Sequence, residues 1–206
     1  MNLVPERKLT TLLFNPFVYI AGAQALGLGL AAILLAGLLG FLGRTHFDGV
    51  LDTHMGAPAP LAVFLAEGLV DWLCLSLVLL VLGKIISKTA FRVIDLVGTQ
   101  ALARWPTLFT SLITLPGGVQ RFARELTKLV TNPGAKIEFR TSDALFFFAA
   151  VVAMLPLLCW MVALMYNSYR VSCNVKGAKA VGTFILGLLL AEILSKIAVV
   201  ALFKLT

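Results

Sequence analysis

Residues 17–43 hold no charged side chain. An α-helix of that length reaches about 40 Å, more than the roughly 30 Å hydrocarbon core of a bilayer. Three further runs, 61–83, 143–166 and 181–203, are nearly as apolar. Backbone N–H and C=O groups in lipid must be satisfied within the segment, so such runs fold as helices. The expected fold is an all-α integral membrane bundle of about five segments, one membrane domain over 1–206. Composition agrees, because 60% of the residues are hydrophobic and 13% charged, where a soluble domain is about half apolar and a quarter charged.

The remaining segment, 96–116, is more polar. It carries Arg104, Trp105 and Pro106 near its middle, with threonines, a serine and Gln100 around them. Pro106 lacks a backbone donor and should kink any helix it sits in. The segment reads as a kinked span, a re-entrant hairpin or an interface-lying helix. Beyond it, 119–131 has Phe122, Leu126 and Leu129 on one helical face, with Arg121, Arg124, Glu125 and Lys128 mainly elsewhere. That pattern predicts an amphipathic surface helix, broken at Asn132-Pro133-Gly134.

Two topologies follow. If all five segments cross, eight Lys/Arg lie at the ends on the N-terminal side and seven on the other. If 96–116 turns back, the tally becomes twelve against four, which the positive-inside rule favours. Hydropathy alone permits either.

Charge inside the apolar runs is the main functional clue. Glu67 and Asp71 lie one helical turn apart in the second run, and Glu192 and Lys196 share that spacing in the last. An intramembrane carboxylate demands a partner, a proton or a watery cavity. Together with Arg104 these residues form a candidate proton or cation path. The structural alternative pairs Glu67 and Asp71 with Arg104 or Lys196, and Glu192 with Lys196, at no functional gain. Small residues at four-residue spacing, Ala21, Ala25 and Gly29 in the first run and Gly187, Ala191 and Ser195 in the last, predict faces for close helix packing.

The loop 44–60 contains both histidines, in the order His46, Asp48, Asp52, His54. Imidazole and carboxylate are ligand types for a divalent metal, but the spacing matches no standard motif. The simpler reading is a solvated loop with Asx-turns and helix caps. No cofactor is otherwise expected. No nucleophile elbow, phosphate loop or Ser–His pair stands out, so the chain is not expected to be an enzyme.

Net charge is +7. Basic residues flank the apolar runs, which points to anionic lipid headgroups and not to nucleic acid. The three cysteines suggest neither a zinc site nor a disulfide framework. The first apolar run is too long for a signal-peptide core and is expected to stay as a spanning helix.

Several short patterns are similar to those of the Yip family, polytopic membrane proteins named for interaction with Ypt/Rab GTPases. They are Leu13-Phe14-Asn15-Pro16 before the first run, Asp95-Leu96-Val97-Gly98-Thr99 followed by Ala101 to Pro106, and the stretch from Trp160 to Ala180. The resemblance implies about five membrane helices with a cytosolic N-terminus. In eukaryotes such proteins act in early secretory traffic, binding GTPases or shaping membranes. With about sixteen residues before its first run, this chain looks more like the short prokaryotic members. The resemblance thus implies a multi-pass protein of a prokaryotic cytoplasmic membrane, an organiser or partner-binding module. Its partners would be the bilayer, a membrane protein or a second copy of itself. A channel or transporter is the alternative, and a membrane metal-binding protein a third.

Overall fold

A computed structural model describes residues 8–132, 134 and 136–203. The predicted break at Pro133, and the basic residues Arg7 and Lys204, lie outside the described residues. The fold is an all-α membrane bundle. A short helix α1 (Leu9–Phe14) and a 3₁₀ turn at Pro16–Val18 lead into α2 (Gly22–Gly43). A two-stranded ribbon, β1 (Thr45–His46) with β2 (His54–Met55), follows. Then come α3 (Leu61–Ile86), α4 (Val93–Ala103), α5 (Thr107–Thr114), α6 (Gly117–Thr131), α7 (Thr141–Ser172) and α8 (Gly177–Phe203). Helices α2, α3, α7 and α8 are long and apolar enough to cross a membrane.

Helix ends differ from the predicted runs by a few residues. The first run starts its long helix at Gly22 and not at Phe17, because Pro16 and Phe17 form the 3₁₀ turn. Ala21 therefore drops out of the packing face. It is an extended, exposed residue before the helix, and Gly22 is buried in its place. Helix α3 runs on to Ile86, with Lys84 in its last turn, where a cation suits the helix dipole. Helix α7 continues through Pro156 to Ser172. The amphipathic helix α6 buries Phe122 but leaves Leu129 exposed.

The polar third segment is two helices. Pro106 cannot donate to Leu102, and the chain tightens into i→i+3 bonds, with Arg104 N–H on Ala101 O, Trp105 N–H on Leu102 O and Thr107 N–H on Arg104 O. The α4–α5 pair does not double back. Gly98 lies against Gly22 and Leu26, and Gly29 against Ala101 and Leu102. Ser111 Oγ donates to Ala36 O at 3.0 Å, and Thr114 abuts Gly43. The pair thus follows α2 from one end to the other, as a crossing segment must. Charge counting favours the hairpin, and does so even without Arg104, which is neutralised within the bundle; the packing along α2 is what opposes it.

Two ends can be distinguished. One carries the ribbon loop, α6 and the start of α7, where Arg121 Nη2 meets Asp143 Oδ1 at 2.7 Å. The other carries α1 and the turns 87–92 and 173–176. There Trp160 Nε1 and Asn167 Nδ2 donate to Leu13 O and Phe14 O, both at 2.8 Å.

Candidate functional site

The loop after α2 reads as polar, yet it contains Phe47, Val50 and Leu51. Arg44 ends α2 in a left-handed conformation, φ 52°, and turns the chain back. The ribbon then pairs Thr45 with Met55 and His46 with His54. Its tip pushes Phe47 and Val50 into the bundle, where both are buried. The loop is an inserted plug and not a solvated connection.

Membrane carboxylates receive this plug. Glu67 Oε1 meets His46 Nδ1 at 2.8 Å, and Glu67 Oε2 accepts the Phe47 N–H at 3.1 Å. His46 Nε2 faces Ala57 O at 2.9 Å, while Phe64 stacks on the ring at 4.2 Å. Across the bundle, Glu192 Oε2 accepts the Leu51 N–H at 2.8 Å. Lys196 binds Asp52 and lies 3.8 Å from Glu192. Burial alone would lower the pKa of His46, but its hydrogen bonds to Glu67 and Ala57 O outweigh that and hold it above the ordinary histidine value. The hydrogen bond from Lys196 holds Asp52 below the usual carboxylate range.

One turn deeper, Arg104 Nη2 donates to Asp71 Oδ2 at 3.1 Å, and the two side chains are 2% and 0% exposed. Arg104 stands at the α4–α5 break, which points it at α3. Asp71 Oδ1 and Arg104 Nη1 make no further hydrogen bond. The nearby Ser195 hydroxyl donates to Glu192 O at 3.2 Å.

The intramembrane residues thus divide. Asp71 and Arg104 pair as the structural reading expects, and Lys196 stays near Glu192. Glu67 does neither: it bonds the loop. Among the metal candidates, ligand atoms of Asp48, Asp52 and His54 lie within 4.8 Å of one another. His54 Nδ1 is 3.2 Å from Asp48 Oδ1. His46 is excluded from that set, because its two ring nitrogens face Glu67 and Ala57 O. It only stacks on His54, with ring centres 5.6 Å apart. A divalent ion on the remaining three would compete with the Lys196 ammonium for Asp52. A recess of about 210 Å³ opens beside His46, Asp48 and His54 and ends at Glu67.

Of the predicted packing faces, Ala25 and Gly29 are buried on α2, and Gly187, Ala191 and Ser195 on α8. The three cysteines are free; Cys74 and Cys173 are buried and Cys159 is exposed. A polar seam between α4 and α7 was not anticipated. Ser168 Oγ donates to Thr99 Oγ1 at 2.7 Å, and Gln100 Nε2 to Met165 O at 3.0 Å. The signal is Thr99 and Gln100 in the last turns of α4, just before Arg104.

Comparison with family models, curated proteins and solved structures yields no match. The geometry alone must carry the functional reading.

Proposed function

We propose that the chain is a non-enzymatic membrane organiser or partner-binding module, Yip-like, in a prokaryotic cytoplasmic membrane. The observation that carries this reading is the use made of the buried charge. Glu67 and Glu192 accept loop backbone N–H groups, Asp71 holds Arg104, and Lys196 holds Asp52. Each lies in an interaction that fixes one element on another. The space beside Arg104 is about 10 Å³, at the lower limit for one water. Such an arrangement makes a rigid body with a fixed outer surface, which suits presenting a face to lipid or to another membrane protein.

The alternative is a proton, cation or small-solute transporter. What favours it is the unpartnered pair of atoms, Asp71 Oδ1 and Arg104 Nη1, in the bundle interior. Flux in proteoliposomes separates the two. The organiser reading expects no proton, metal or solute movement above empty vesicles, and lowered stability in Glu67→Gln and Asp71→Asn. Wild-type flux that falls in either variant would replace it with transport.

A further inference from the structure

Helices α5 and α7 do not close on each other between Pro106, Thr107 and Thr110 on one side and Val151 to Met161 on the other. Between them lies a groove of about 270 Å³. Its walls include Thr110 on α5 and Met154, Leu158 and Met161 on α7, and the plug residues Leu51 and Asp52 form its lip. The groove opens sideways past Leu155, which is 60% exposed on α7. In a bilayer that opening faces hydrocarbon, and an apolar cleft of this size has room for part of an alkyl chain.

The lip adds selectivity. Asp52 lines the groove and binds Lys196, and the Asp48 and Glu192 carboxylates also act on that lysine. One ammonium among three carboxylates leaves the lip net negative. An anionic headgroup is repelled there. A headgroup carrying its own ammonium complements the surplus carboxylate, while its phosphate can reach Lys196. A primary ammonium also donates hydrogen bonds to carboxylates, which a quaternary one cannot.

We propose that the α5–α7 groove, with its lip at Asp52 and Lys196, is a binding site for one zwitterionic aminophospholipid of the phosphatidylethanolamine type, one acyl chain in the groove and the headgroup ammonium on the carboxylate lip. The site does not depend on the organiser reading, since a transporter of this fold would hold the same lipid.

Native mass spectrometry tests it on the full chain, delipidated and then exposed to equal phosphatidylethanolamine, phosphatidylcholine and phosphatidylglycerol. The expected result is one retained lipid per chain, with the ethanolamine lipid at least several-fold over the other two. Leu155→Trp, at the groove mouth, should remove the retained lipid. Val152→Trp, on the same helix and 67% exposed but outside the groove lining, should keep it. Asp52→Asn should keep a lipid but lose the headgroup preference. Retention of no lipid, of the glycerol lipid in preference, or of all three equally overturns the proposal. So does equal retention by Leu155→Trp and wild type, or a second copy of the chain bound where the lipid should be.

Discussion

The bundle closes its helices in two ways. Along α2 and α4 contact depends on having no side chain. A methyl group built on Gly29 would sit 2.3 Å from the Ala101 carbonyl carbon, and one on Gly98 would sit 2.4 Å from Gly22 O. Backbone rests on backbone, as small residues allow in membranes. Where α3 and α8 meet the loop and the α4–α5 break, contact depends on charge. Glu67, Asp71 and Glu192 each take a donor from another element. The first seam tolerates no added atoms and the second no lost partner, so substitutions distinguish them.

The largest effect should come from the charged seam. Arg104→Met leaves the Asp71 carboxylate buried without its cation, and loss of one partner of a buried pair costs about 3–5 kcal/mol. Replacing both, as Asp71→Leu with Arg104→Met, should restore most of that, because the pair's attraction largely offsets its desolvation. Unfolding midpoints of the single and double variants in one detergent would measure the difference. A double variant no better than the single would show that Arg104 holds the α4–α5 break by more than this ion pair.

The glycine seam should respond next. Gly29→Val adds atoms where none fit, and overpacking costs about 1–3 kcal/mol. Gly27, two residues away, has nothing within 4 Å of an added methyl, so Gly27→Ala should not lower the midpoint. Equal effects at both positions would contradict the close approach of α2 to α4.

Glu67→Gln lies between the two seams in kind. It keeps the volume but weakens the bonds to His46 and the Phe47 N–H, a loss of about 1–3 kcal/mol where buried groups go unsatisfied. The plug should loosen locally. A cysteine at the buried Val50 should react slowly with a water-soluble maleimide in the parent and faster with Glu67→Gln. Unchanged labelling would mean that Phe47 and Val50 anchor the loop without the carboxylate.

Much of this was legible in the chain. Long apolar runs fix four helices because lipid leaves the backbone no other way to satisfy itself. Arg104 and Pro106 announced the break in the third segment, though not its direction. That direction depends on Gly29 and Gly98 fitting together, a contact between segments that local pattern does not carry. The loop is hard to read for a related reason. Its histidines and aspartates suggest solvent or metal, while Phe47 and Val50, the residues that decide burial, are a minority of the stretch. Glu67 was recognised as needing a partner, but His46 stands twenty-one residues away on another element and spacing alone could not supply it.

The smallest effect concerns His46, a titrating group that joins the plug to the charged seam from outside the spanning helices. Its pKa in the folded protein lies above the ordinary value of 6.5, so folding favours the protonated ring. The stabilisation is therefore complete below about pH 6.5 and is lost as pH rises through the raised value. Asp52 acts in the opposite sense. Its lowered pKa gives stability that is present above about pH 3.8 and lost only as pH falls further, so it contributes no slope near neutrality. The unfolding midpoint should accordingly decline from pH 6 to pH 9, and His46→Gln should flatten that decline while leaving the acid limb intact. The Gly29→Val variant should keep the wild-type pH slope at a lower midpoint, since Gly29 packs on Ala101 and Leu102, which do not titrate. If His46→Gln kept the full slope, the proton would belong elsewhere, and the plug would be held by the Phe47 and Leu51 amides on Glu67 and Glu192 and by the Lys196–Asp52 pair.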